Sequence, residues 1–599
     1  MRASGQTRAR APPVAAIVLY LVVYLAATVI VFRGGQYVPV QTGYVLVLVT
    51  YILPLVLAER EYLTPVWEGF FLFATPLLPI LIVVDPFQAG LYGYDAYSFT
   101  IPALDLLRDG ASVGEFVDAD GDWPQFYAVA LAFQQLSGVG TGFLCKYFPV
   151  FVFAIPFVVY AGVELIAKRR IAFYTGMAVA STRTLLVFEV KFVDETIAVL
   201  LFFTALVYLS LTNQTKRAVP GLALVITGLA LTHHATSVFF AVLLVCMLLA
   251  GSLHRVPLPS VLVNRVVPQR GSPVGIGLLG TGLVGFGVGA VFLFLAPEVT
   301  TELVMTAHGS LFEGQQTSSP VQSGSGGGLF SVSGVPVRQL ISRAAMVVFA
   351  IMAGVTAVGI LTRYRTAHWE VGWVGAAGIF SGLYFASLVG GRVVPLDPIR
   401  ILLFLVVIIT PPTLSIISRY RLLSDTPDDE DTDTTTSPSR PGGIRSAVAL
   451  LLLSALIVTQ VAAIDPHVLY TDPTTTVIGE GHHTDAQFGA SQWAERYYSG
   501  AMIGAERSLW VAYDNNYRNP THGVGSCQQI LSAWRPETGD PRPENVSVVL
   551  DSADISLTRS ATGPYVPGRA SNTQASPSYN SGPPTCGTFV RSKFVKLSD

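Results

Sequence analysis

Charge is scarce in this chain: 13% of its 599 residues are Asp, Glu, Lys or Arg, while 51% are hydrophobic. Soluble domains carry about a quarter of charged residues, so this composition, with a mean hydropathy of +0.53, excludes an ordinary water-soluble protein. The formal net charge of −2 excludes a generally basic nucleic-acid binder. No cleavable signal peptide is expected either. The first apolar run, Pro13 to Phe32, is too long for a signal-peptide core and lacks an A-x-A exit, so it reads as a signal anchor. No H-E-x-x-H, G-x-S-x-G, P-loop or dinucleotide fingerprint sits in a supporting context, and the SGSGGG run at 323–328 is flexible spacer. Of only four cysteines, Cys145 and Cys246 lie in apolar spans and behave as small hydrophobes. Cys527 and Cys586 lie in the polar C-terminal region and can pair if that region is extracytoplasmic.

What is present is a succession of apolar runs long enough to cross a bilayer. Lys and Arg mark the cytoplasmic side, and the N-terminus, residues 1–12, carries three arginines and no acid. Alternation from an inside start then predicts spans at about 13–32, 39–58, 67–84 and 143–166, the last ending at Lys168-Arg169-Arg170. The apolar stretch Pro124 to Leu136 is too short to cross and reads as an interfacial helix; had it crossed, that basic cluster would lie outside. Continuing the count gives about thirteen transmembrane helices. A core over 13–423 contains the outer loop 85–142, and an acidic, Thr-rich cytoplasmic linker follows at 424–445. The linker is too polar to bury apolar surface. The last span is 446–464, and residues 465–599 form an extracytoplasmic α+β domain. Within that domain DAQFGASQWAERYYSGA reads as a helix and NVSVVLDSADISL as strand. Asn545-Val-Ser is a glycosylation sequon on the correct side, or a chance tripeptide.

The polar residues that interrupt the apolar pattern collect at the outer ends of the spans: Asp85, Asp95 and Asp105; Lys191, Asp194 and Glu195; His233 and His234; Arg338 and Arg343; Arg392, Asp397 and Arg400. A transporter is expected to hold its critical charges near the midplane. A ring of polar groups at one membrane surface suits an enzyme acting on a lipid headgroup.

Asp95, flanked by Tyr94 and Tyr97 beside an apolar span, is either a solvated loop carboxylate or a general base accepting a proton from an acceptor hydroxyl. Arg392 and Arg400 flank a Pro-rich turn outside, against the positive-inside bias; arginine's fork of donors fits phosphate, and the plainer readings are anchoring by lipid headgroups or pairing with Asp397. Lys191 either assists them or forms an ion pair with Asp194 and Glu195. Of His233 and His234, adjacent and therefore on different faces, at most one is a ligand; it would donate to phosphate or join Asp95 around a divalent cation.

These features resemble the GT-C superfamily of membrane glycosyltransferases, which use polyprenyl-phosphate-linked sugars. The similarity rests on the acidic first outer loop (GYDAYSF), the Trp-Pro-led interfacial stretch (DWPQFYAVALAF) and the acidic outer end before the sixth span (KFVDETIAVLLFF), and in architecture covers residues 13–464. It implies Asp95 as catalytic base and Arg392 and Arg400 on the lipid phosphate. From their place at the outer ends, Lys191 or a histidine is expected to assist, and Asp194, Glu195, His233, His234, Tyr94 and Tyr97 are candidates to line the site. Two departures stand out. Many relatives carry paired acids in the first loop, whereas Ala96 follows Asp95, and the WWDYG signature of oligosaccharyltransferase catalytic subunits is absent, which disfavours en bloc transfer to asparagine. The acidic Thr-rich linker and the Val/Ala content resemble haloarchaeal proteins, which implies dolichyl phosphate as carrier.

The expectation is therefore a multi-pass plasma-membrane glycosyltransferase, N-terminus cytoplasmic, moving a sugar from polyprenyl phosphate to a glycan, lipid or protein acceptor at the outer face with inversion. No cofactor is required by the chemistry; a divalent cation (Mg or Mn), if used, falls to Asp95 and His233. The alternatives are a flippase of lipid-linked sugars and a membrane-anchored surface-binding protein without catalytic activity.

Overall fold

A computed structural model of the chain describes residues 13–33, 40–84, 104, 108, 110, 124–212, 215, 217–252, 337–362, 368–389, 398–419, 443–461, 502–505, 546–549 and 594–596. They fall into two compact units.

The first unit takes residues 1–80, 151–189 and 194–464 and is helical. Its elements are α1 (Val14–Arg33), α2 (Val40–Glu59) and most of α3 (Pro65–Val84). A helix α4 and a helix α5, described below, separate these from α6 (Ile155–Glu164), α7 (Arg169–Ala180), α8 (Asp194–Thr212), α9 (Ala218–Thr232) and α10 (His234–Ser252). The unit ends with α11 (Val337–Thr362), α12 (His368–Val389), α13 (Pro398–Arg419) and α14 (Gly443–Val461). Among the described residues, three stretches are long and apolar enough to cross a membrane: Phe143–Glu164, Asp194–Thr212 and Arg400–Ser418. Helix boundaries follow charge. Asp194 and Glu195 open α8, where acids favour the positive end of the helix dipole, and Pro398 opens α13, where its missing N–H costs nothing.

Two expected spans take a different form. The stretch expected as one helix at 143–166 is broken: α5 gives way to a 3-10 segment, Phe148–Ala154, before α6 resumes. Pro149 explains the change, since proline removes a backbone donor and crowds the carbonyl four residues earlier. Helix α7 is only 12 residues, about 18 Å at 1.5 Å per residue. It is prolonged by a π-helical turn, Thr184–Phe188, a wide turn often found at functional sites.

Helices α8 and α9, α6 and α7, α10 and α12, and α12 and α13 pack as neighbours, with α13 also lying against α7, α11 and the π turn. Close approach is set by small residues, as in membrane helix pairs. A Cβ on Gly372 of α12 would lie 2.9 Å from the backbone Cα of Met247 on α10. An aromatic core fills the centre: Phe202 of α8 meets Phe404 of α13 at 4.7 Å and Phe240 of α10 at 5.4 Å between ring centroids, both edge-on. Phe239 touches both Phe380 and Phe404.

The second unit takes residues 81–150, 190–193 and 465–599. It holds α4 (Pro124–Ser137) and α5 (Thr141–Tyr147), the former being the short helix expected at Pro124 to Leu136. Phe126 stacks edge to face with Phe148 and packs against Phe192, and Phe133 also meets Phe148. Three strands, β1 (Met502–Ala505), β2 (Val546–Val549) and β3 (Phe594–Lys596), form a sheet with β2 central, parallel to β1 and antiparallel to β3. The strand expected in NVSVVLDSADISL is β2; the helix expected at DAQFGASQWAERYYSGA lies outside the described residues.

Candidate functional site

Three helices of the first unit bring their ends together around Glu195. Its Oε1 accepts from Arg400 Nη1 at 2.5 Å and faces His233 Nε2 at 3.1 Å. Glu195 is in the first turn of α8, Arg400 in the first turn of α13, and His233 is the single extended residue between α9 and α10 (φ −160°, ψ 125°). Glu195 and His233 are both 5% exposed, whereas the Arg400 side chain keeps 39% of its surface open. The aromatic core explains the convergence. Phe202 lies two turns below Glu195, Phe239 and Phe240 two turns below His233, and Phe404 one turn below Arg400, so the ring cluster clamps the same three helices beneath the polar groups. A cation in a first turn opposes the helix dipole, and Glu195 offsets that for Arg400.

Both nitrogens of His233 are engaged. Nδ1 lies 2.8 Å from Thr236 Oγ1 and accepts the Thr236 backbone N–H at 3.3 Å, while Nε2 meets Glu195. Ser237 Oγ donates to the His233 carbonyl at 2.8 Å and to that of Leu229 at 3.0 Å, which holds the bend between the two helices. Burial pulls the imidazole pKa down, but the Asp194 charge, the hydrogen bond to Glu195 and the Glu195 charge outweigh it. The net direction is upward from the ordinary histidine value, against some opposition from Arg400.

The α7–α8 connection carries Arg183, a residue not singled out from the sequence although it stands in a segment expected at the outer boundary, as Arg392 does. Its backbone N–H donates to Gln460 Oε1 of α14 at 3.3 Å. The preceding Thr182 Oγ1 donates to the Val179 carbonyl and accepts the Leu185 N–H. Thr196 Oγ1 then donates to the Glu189 carbonyl at 3.0 Å, tying the end of the π turn to the first turn of α8. The Arg183 Nε is buried and meets no hydrogen-bond acceptor among the described residues.

Basic residues at the other ends of these helices are held differently. Arg169 Nε donates to Glu68 Oε2 at 2.7 Å, and the same oxygen accepts from Tyr160 at 2.9 Å. Arg170 pairs with Glu59, which also accepts from Tyr174. The α2–α3 and α6–α7 junctions therefore lie together.

Of the other residues singled out, Asp194 is buried and acts on His233 through its charge. Lys191 is buried in the second unit. His234 opens α10, with its side chain outside the described residues. Asp95, Tyr94, Tyr97, Arg392 and Asp397 also lie outside them. Among the described residues no group of three or more His, Cys, Asp or Glu side chains is arranged to hold a metal ion. As placed, the His233 ring nitrogens meet Glu195 and Thr236, and Asp95, the partner expected for a cation, lies outside the described residues.

No family model and no curated protein matches the chain. Among solved structures it is similar to the Archaeoglobus fulgidus oligosaccharyltransferase in three crystal structures. With a disulfide-tethered acceptor peptide containing the NVT sequon, the TM-score is 0.48 at 11% identity over 78% of this chain and 64% of that one. For the apo form the values are 0.49, 12%, 86% and 71%. For the complex with Zn and sulfate they are 0.45, 11%, 84% and 69%. The chain thus spans less than two thirds of the peptide-bound enzyme. Likeness at this level carries no functional weight, and the function is argued from the residues.

Proposed function

We propose that the protein is a membrane glycosyltransferase that moves a sugar from polyprenyl phosphate, dolichyl phosphate by the compositional resemblance, to an acceptor hydroxyl at the outer face. The observation that carries this reading is the Glu195–His233–Arg400 cluster: an acid, a histidine and a part-open arginine meet at the ends of three apolar helices, at the end that charge bias assigns to the outside.

In the proposed reaction Asp95 accepts the proton of the acceptor hydroxyl. The hydroxyl oxygen forms a bond to the anomeric carbon as the bond from that carbon to the phosphate oxygen breaks, and the configuration inverts. The leaving group is polyprenyl phosphate, a good one, so no strong general acid is needed. Arg400, with Arg392 and Lys191, stabilises the charge that develops on it. Glu195 holds the Arg400 guanidinium in one place and sets its orientation, and the exposed part of the side chain is what remains for the phosphate.

The distribution of charge supports an enzyme over a flippase. In the described helices every Asp, Glu, Lys and Arg lies in a first or last turn, Arg343 in the second turn of α11 excepted. A carrier that passes a phosphate-linked sugar across the bilayer needs polar groups at depth. The test is a mass comparison of lipid-linked and protein-linked glycans from a deletion strain with those of wild type. Loss of one sugar from one glycan is expected; an unchanged glycan profile overturns the proposal.

A further inference from the structure

Arg400 pairs with Glu195 through Nη1, and Arg169 and Arg170 pair with Glu68 and Glu59. Among the described residues no carboxylate pairs with Arg183: its backbone N–H donates to Gln460, and the buried Nε–H of its side chain meets no acceptor there. A guanidinium stays charged at every accessible pH. Leaving one of its buried donors unmet costs about 1–3 kcal/mol, so such a group is retained where an anion completes it. Its surroundings fix its place. Gln460 holds its backbone, Thr182 caps the turn that follows, and the π turn packs against α13, the helix that begins with Arg400.

We infer that Arg183 is a phosphate-binding residue of this site, its Nε–H and a terminal N–H forming a two-pronged grip on the phosphate of the lipid-linked donor. This rests on the glycosyltransferase reading above. The fork is the feature that matters: two parallel N–H donors match two phosphate oxygens, which a lysine ammonium at the same position does not reproduce. Arg183 would then hold the phosphate from the α7–α8 side while Arg400 meets it from α13, so that the leaving group is gripped by two cations carried on different elements.

The measurement is binding of polyprenyl monophosphate, the sugar-free product, to the purified full-length chain, alongside polyprenol and phosphatidylglycerol. Wild type is expected to bind polyprenyl monophosphate and to bind polyprenol at least tenfold more weakly. Arg183→Gln should weaken polyprenyl monophosphate binding about tenfold or more, with the donor KM rising by a similar factor and kcat falling less. Should Arg183→Gln fail to fold, Arg183→Lys carries the test, because it keeps the charge and loses the Nε–H: weakened binding is again expected, and wild-type affinity overturns the inference. Equal loss of polyprenyl monophosphate and phosphatidylglycerol binding would make Arg183 a bilayer anchor and also overturns it. Wild-type lipid binding by Arg183→Gln, with transfer still abolished in Asp95→Asn, removes this inference alone. Failure of the wild-type chain to bind polyprenyl monophosphate removes the functional reading with it.

Discussion

Replacing Glu195 by glutamine keeps the shape of the side chain and removes the charge that joins α8, α13 and the His233 bend between α9 and α10. Breaking a fully buried ion pair from one side costs about 3–5 kcal/mol, whereas an exposed pair is worth about 0.2–1 kcal/mol. Glu195 is buried but Arg400 is more than a third exposed, so water recovers part of the arginine's solvation and the expected loss is about 2 kcal/mol, roughly 30-fold in the folding equilibrium at 1.4 kcal/mol per tenfold. Thermal unfolding of the detergent-solubilised chain should be measured for wild type, Glu195→Gln, Arg400→Gln and the double variant. The two losses should overlap, leaving a coupling of about 1–2 kcal/mol. A pH series adds a second reading. Because the folded pKa of His233 is raised, its imidazolium contribution is complete below the ordinary value of about 6.5 and is lost as pH rises through the raised one. Glu195→Gln removes the hydrogen bond and one of the two carboxylate charges that raise it, so the loss should move to lower pH. Strictly additive single losses together with an unmoved pH profile would refute the reasoning.

Further expectations concern catalysis and packing. Asp95→Asn should cut sugar transfer by about 100- to 10,000-fold, the usual cost of removing a general base, with expression and membrane insertion unchanged; near-wild-type transfer in a membrane assay counts against the assignment. Gly372→Ala should destabilise the α10–α12 pair by about 1–3 kcal/mol, because its Cβ would meet the Met247 Cα at 2.9 Å. Gly375→Ala, whose Cβ would sit at an ordinary 3.7 Å from Cys246 Cβ, should unfold near the wild-type temperature. The two variants ranked the other way by thermal unfolding would contradict the packing. Arg183→Gln should raise the donor KM about tenfold, measured by varying donor concentration at saturating acceptor.

The helical course of the first unit was legible because hydropathy and charge agree along it. The run expected from 39 becomes α2 at Val40, the Lys168-Arg169-Arg170 cluster begins α7, and the acidic pair Asp194-Glu195 begins α8. The short α4 was legible from length alone. The 3-10 segment and the π turn were not: an apolar run such as FPVFVFA or TLLVF has the same hydropathy whether its hydrogen bonds span three, four or five residues. Within the site, sequence named Glu195, His233 and Arg400 as separate outer-end groups. Their meeting depends on which helices are neighbours, and that is decided by Phe202, Phe239, Phe240 and Phe404, which look like any other apolar residues in a membrane span. The pairing of Glu195 with Arg400 was not legible, because the two are distant in the chain and adjacent in the fold. Arg183 was missed because it sits in a segment read as a boundary, although its sidedness was the same signal that drew attention to Arg392.

The most direct test of the central claim is stoichiometric. The purified full-length chain is reconstituted in vesicles with a polyprenyl-phosphate-linked sugar, labelled in the sugar, and an acceptor extract from a deletion strain. Released polyprenyl phosphate and label in the acceptor are then counted together. The account predicts one polyprenyl phosphate released for each sugar transferred, with both lost in Asp95→Asn. Passage of intact donor across the bilayer without release of polyprenyl phosphate would contradict it.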